Sequence, residues 1–84
     1  MYKDYKVIAK ENIPKAGEVY RHYKGGLYQV VTVAMHSDPD EFCVVYKAKN
    51  INPTFPFFTR LLRSWNEEVE CSGEKVKRFT KMET

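Results

Sequence analysis

Cysteine is scarce in this chain, and the two it has, Cys43 and Cys71, stand apart with no C-x-x-C spacing. That pattern excludes a disulfide scaffold and the closely spaced ligand pairs of structural zinc sites. No apolar run approaches the ~18 residues that a membrane-spanning helix needs, and Met1-Tyr2-Lys3-Asp4 does not lead into the apolar stretch of a signal peptide. The expectation is a soluble cytoplasmic protein with both thiols reduced and with no role at a membrane. Neither sign of charge dominates: 14 Lys and Arg stand against 11 Asp and Glu, a net charge of +3. This permits attraction to phosphate but falls short of the basic footprint of a dedicated nucleic-acid protein. Repeats and low-complexity tracts are absent as well, and 84 residues make one domain at most.

Aromatic residues are plentiful, with six tyrosines, five phenylalanines and a tryptophan in 84 residues, and 43% of the chain is hydrophobic. A chain this short buries only about 60–65% of the surface that its unfolded form exposes, so large rings supply core area from few positions. The chain is organised around Val19 to Ser37, V-Y-R-H-Y-K-G-G-L-Y-Q-V-V-T-V-A-M-H-S. Two strand-like runs flank Gly25-Gly26, a dipeptide whose residues both tolerate the positive φ angles of a tight two-residue turn. In that register Arg21 pairs with Val30, His22 with Gln29, Tyr23 with Tyr28 and Lys24 with Leu27. Pairs share a face, so Arg21, Tyr23, Tyr28, Val30, Thr32, Ala34 and His36 fall on one side. Tyr20, His22, Lys24, Leu27, Gln29, Val31, Val33 and Met35 fall on the other.

Residues 1 to 16 read as an irregular or helical arm in which Tyr5 to Lys10 suits a strand or a helical turn. Ser37-Asp38-Pro39-Asp40-Glu41 is a turn, because Pro39 fixes φ and Asp38 can bond to nearby backbone. Phe42 to Lys49 forms the next strand, with Phe42, Val44, Tyr46 and Ala48 toward the core. Asn50 to Pro56 is a loop punctuated by two prolines. Phe57 to Arg60 makes a short strand, and Leu61, Leu62 and Trp65 have the spacing of a turn or two of helix. Glu67 to Cys71, the turn Ser72-Gly73, and Val76 to Phe79 close the chain as a hairpin. The predicted fold is all-β: a small SH3-like barrel of five to six short strands over residues 17–80, with one short helical turn and a polar tail at 81–84.

The block V-Y-R-H-Y-K-G-G-L-Y to A-M-H-S resembles a small bacterial family classed as domain of unknown function 1653, which has a Y-R-H-x-K-G-x-x-Y start and an A-x-H-S continuation. Val45-Tyr46-Lys47-Ala48 is similar to that family's V-Y-x-A strand, Arg60-Leu61-Leu62 to its R-P-L, and Glu67-Glu68-Val69 with Gly73, Val76, Arg78 and Phe79 to its closing hairpin. The resemblance covers residues 17–79 and implies the SH3-like barrel, but no activity. Two departures stand out. Asn50 to Phe58 replaces the family's Tyr-Gly-Asp turn, and Leu61 replaces its proline.

Arg21, Lys24 and Arg60, interleaved with Tyr20, Tyr23, Tyr28, Phe57, Phe58 and Trp65, have the chemistry that stacks bases and neutralises phosphate on a barrel surface. Most of these rings also suit the core of so small a domain. Lys75, Lys77, Arg78 and Lys81 form a second basic cluster, the usual dressing of an edge strand. The scattered His22, His36, Cys43 and Cys71 lack metal-ligand spacing, and His36-Ser37-Asp38 lacks triad geometry. No catalytic residue, metal or cofactor is therefore expected. The leading expectation is a binding module for a small anionic or nucleobase-containing ligand or single-stranded RNA. Its candidate ligand residues are Arg21, His22, Lys24, Tyr28, His36, Ser37 and Arg60. The alternatives are a peptide-binding SH3-like domain with a protein partner, and a small enzyme or accessory domain using His36 or His22. Oligomeric state is left open.

Overall fold

The computed structural model describes residues 12–37, 40–49 and 56–83. Among these, the strands are β1 (Val19–His22), β2 (Leu27–Ser37), β3 (Asp40–Ala48), β4 (Phe58–Leu61), β5 (Glu68–Cys71), β6 (Glu74–Lys77) and β7 (Phe79–Lys81). A single helical turn, α1 (Leu62–Trp65), follows β4. Five strands form one antiparallel sheet in the order β4-β3-β2-β1-β7, and β5 pairs with β6 in a separate ribbon. The all-β expectation holds, with seven strands in place of five or six. The count rises because Arg78 interrupts the last run, so that β6 stays with β5 while β7 crosses to β1.

The β1–β2 turn differs from the two-residue connection predicted for Gly25-Gly26. Tyr20 pairs with Tyr28 and Arg21 with Leu27. The His22 N–H donates to Gly26 O at 2.8 Å and the Gly25 N–H to His22 O at 2.7 Å. The loop is thus Tyr23-Lys24-Gly25, a three-residue connection that needs one left-handed residue rather than two. Gly25 supplies it at φ 109°, and Gly26 lies outside the positive-φ set. The Lys24 N–H also donates to His22 Nδ1 at 3.2 Å, a local bond available only in this longer loop.

Because the register moves by an odd number of residues, the predicted face sets are re-paired. Tyr20, His22, Tyr28 and Val30 share the inner face, and Arg21 points away from Tyr28 instead of joining it. A bulge between Val30 and Thr32 then shifts the inward positions, so that Val33, opposite Val44, packs on the core. On β3 the predicted face is the observed one: Val44 and Tyr46 are buried and Phe42 packs beside them. The left-handed pair expected at the two glycines occurs instead at Ser72 (φ 54°) and Gly73 (φ 83°), between Cys71 and Glu74.

The core consists of Tyr20, Val30, Val44, Tyr46, Leu62, Trp65 and Phe79. Its centre is Trp65 stacked on Phe79, with centroids 3.8 Å apart and planes 6° from parallel. Tyr20 and Tyr46 meet Trp65 edge-on at 5.2 and 5.0 Å. Leu62 and Trp65, three apart, turn one side of α1 onto this stack, while Arg63 faces outward to Glu41 at 2.7 Å. Glu18 accepts from the Lys15 N–H and the Tyr20 hydroxyl and pairs with Lys81 at 3.0 Å. Burial pushes the Glu18 carboxyl up, but those bonds outweigh it and hold the group below its ordinary value. Burial, with the adjacent Glu18 charge, raises the Tyr20 hydroxyl to about 12. Cys43 is a buried free thiol and Cys71 an exposed one. Of the predicted arm, Ile13 packs on the core and Asn66 donates to Asn12 O, while the segment around Tyr5 lies outside the described residues. The same is true of Asp38, Pro39 and the 50–55 part of the predicted loop, although Ser37 and Asp40 pair directly.

Candidate ligand-binding site

His22 ends β1 opposite Phe79. Its ring meets Phe79 edge-on at 5.0 Å, Tyr23 at 4.6 Å and Tyr28 at 6.4 Å. Across the sheet, Arg60 pairs with Val44 and Phe58 with Tyr46, so strand alternation puts Arg60 and Phe58 on the core side of the edge strand. The Phe58 ring leans on Tyr46 at 5.7 Å and remains 42% exposed. The Arg60 guanidinium carbon lies 5.7 Å from the Phe79 centroid. These rings form one cluster, the Arg60 cup, in which His22 and Tyr28 pack on Phe79, Tyr28 and Phe58 on Tyr46, and Tyr23 on His22.

Two guanidinium groups converge on Ser64 of α1. Arg60 Nη1 donates to Ser64 Oγ at 3.1 Å, and Arg78 Nε donates to Ser64 O at 3.1 Å. Their electrostatic situations differ. Arg78 Nη2 reaches Glu67 Oε1 at 2.9 Å and is neutralised. Arg60 makes no ion pair with any described residue, and its Nε is buried without a hydrogen-bond partner. A buried donor left unmade costs about 1–3 kcal/mol, and more when it carries charge. Lys24 Nζ adds a cation 5.8 Å over the Tyr23 ring. Burial, then Arg60, Arg78 and Lys24, lower the His22 pKa from its ordinary 6.5. His22 Nδ1 accepts the Lys24 N–H, which leaves Nε2 as the N–H donor of the neutral ring.

The structure brings together four of the seven predicted site residues, His22, Lys24, Tyr28 and Arg60. Arg21 is exposed on the opposite side of β1, between Leu27 and Thr80. His36 and Ser37 pair with Glu41 and Asp40 at the far end of β2, roughly 25 Å of extended chain from Tyr28. Sequence reasoning missed Arg78, Ser64 and Phe79 as members of the site. Arg78 read as part of a solvated basic edge, and the break after Lys77 that turns it inward leaves no periodic mark. Among the described residues no three His, Cys, Asp or Glu side chains gather to hold a metal, and no helix is long and apolar enough to cross a membrane. A hollow beside Trp65 and Phe79 is lined also by Tyr20, Asn66, Lys77 and Lys81, and Lys81 is already paired with Glu18.

A family model described as "Protein of unknown function (DUF1653)" matches residues 18–81. The chain is also similar to a crystal structure of a DUF1653 protein from Bordetella bronchiseptica, with 38% identity and a TM-score of 0.69 over 86% of this chain and 90% of that one. No curated protein matches the chain.

Proposed function

The chain belongs to the DUF1653 family of unknown function, and from that premise we propose that it is a non-catalytic binding module for a small anionic, ring-bearing ligand. The Arg60 cup is its site. The observation that carries this reading is Arg60 itself: a half-buried guanidinium on an aromatic floor, with a sequestered donor and no carboxylate among the described residues. Folded proteins ordinarily pair such a group, as this one pairs Arg63, Arg78 and Lys81. An incoming anion that draws this donor out of its sequestered position supplies the missing partner, and the exposed ring of Phe58 with the half-buried ring of Tyr23 offers stacking surface for a planar group. The SH3-like barrel that the resemblance implies belongs to the same reading, supported by β7 returning to pair with β1. The test is an amide NMR titration with nucleotides and short RNA. Shifts confined to residues 22–28, 58–64 and 78–79 are expected, and their absence removes the proposal.

A further inference from the structure

We infer that the anion this cup accepts is the terminal phosphate monoester of a nucleotide, rather than the phosphodiester of an RNA chain; the inference rests on the binding reading above. Charge is the first ground. Once Arg78 is cancelled by Glu67, the cations left at the cup are Arg60 and Lys24. Their sum matches a phosphate monoester, which carries about −1.5 to −2 at neutral pH, better than the single charge of a diester.

Donor geometry is the second ground. Arg60 spends one N–H on Ser64 Oγ; its Nε is sequestered in the free protein, and a turn of the side chain that uncovers Nε beside Nη2 presents the fork that grips two oxygens of one phosphate. Lys24 Nζ and His22 Nε2–H complete a set for a third oxygen, and only a monoester presents three terminal oxygens. Extent is the third ground. Single-strand binders lay cations along a track that follows several phosphates. Here Arg63 and Lys81 are committed to Glu41 and Glu18, and Arg21 faces away from the cup. The neutral rings of Tyr23, His22 and Phe58 border the cations and offer a base its stacking surface.

The experiment compares four probes on the intact protein by calorimetry and amide NMR at fixed ionic strength: adenosine 5′-monophosphate, adenosine, ribose 5-phosphate and the diester dinucleotide ApA. The monophosphate is expected to bind at least roughly tenfold more tightly than each of the others, the scale set by a charge-assisted bidentate contact. Arg60→Lys keeps the charge but loses the fork, so it should erase most of the preference for the monophosphate over adenosine while adenosine binding stays within about twofold. Should that variant misfold, the four-probe ranking on the parent protein still decides. ApA binding as tightly as the monophosphate would overturn the monoester assignment and leave the cup as a binding site. Equal binding of ribose 5-phosphate and the monophosphate would overturn the assignment to a nucleotide. Silence from all four probes would overturn the inference together with the reading beneath it.

Discussion

Replacing Gly25 and Gly26 one at a time separates two physical effects that adjacent glycines usually confound. Gly25 sits at φ 109°, and a Cβ built there meets nothing within 4 Å. The penalty of Gly25→Ala is therefore torsional, on the order of 1–2 kcal/mol for an L-residue in the left-handed region. The smaller conformational freedom of alanine in the unfolded chain offsets about 0.4–1 kcal/mol of this. The net loss of roughly 1 kcal/mol should lower the thermal midpoint by about 4–8 °C in a domain of this size. Gly25→Val should cost more, and Gly25→Asn less, because asparagine enters the left-handed region more readily. Gly26 carries no positive φ, but its added Cβ would lie 3.0 Å from Tyr28 Cε2 and 3.2 Å from the Tyr28 hydroxyl. The far end of that ring must move, so Gly26→Ala should shift the Tyr28 and His22 resonances and cost less stability than Gly25→Ala. Circular dichroism melts with ring-proton NMR measure both. Gly25→Ala melting with the parent, or Gly26→Ala melting lower than Gly25→Ala, would refute the three-residue turn and every face assignment that follows from it.

Because the folded-state pKa of His22 lies below its ordinary 6.5, the histidine is uncharged in both folded and unfolded chains above that pH. As pH falls below 6.5 the unfolded chain takes the proton first, so stability declines until the folded pKa is passed; His22→Gln should flatten melting curves over that window. Glu18, held below its ordinary 4.5, loses its contribution at lower pH, and Glu18→Gln should flatten that separate acid limb. Trp65→Ala removes a ring that is 2% exposed and stacked on Phe79, a loss of about 3–5 kcal/mol that should leave much of the protein unfolded at 37 °C by circular dichroism. Ser72→Val forces a β-branched residue to φ 54° and should lower the midpoint by several degrees, whereas Ser72→Asn should melt with the parent or above it.

Alternation and turn chemistry made the strands legible. Phe42, Val44 and Tyr46 read inward and are inward, and Leu62 with Trp65 read as a turn of helix and is one. The Ser72-Gly73 turn was equally plain. What escaped was register. Gly-Gly suits a two-residue turn and the last position of a three-residue loop alike, and the second arrangement gains the Lys24 N–H to His22 Nδ1 bond, which no periodicity encodes. The bulge at Val31 was invisible for a related reason, since the run Val30-Val31-Thr32-Val33 stays strand-like through an inserted residue. At the site, aromatic and basic composition pointed to Arg60, His22, Lys24 and Tyr28. Arg78 and Ser64 could not be found that way, because their roles come from where β6 gives way to β7 and from the short crossing of α1.

The most direct test of the anion cup is the 15Nε–1Hε cross-peak of Arg60, followed while the protein is titrated with adenosine 5′-monophosphate. In the free protein this N–H is sequestered and makes no hydrogen bond. Capture of a phosphate, by turning this N–H out to the ligand, should move its proton downfield with the same saturation curve as the amides of His22 and Lys24. A cross-peak that stays fixed while the protein binds the nucleotide elsewhere, or that already shows a strongly bonded proton in the free protein, would contradict the claim that Arg60 is held unpaired for an anionic ligand.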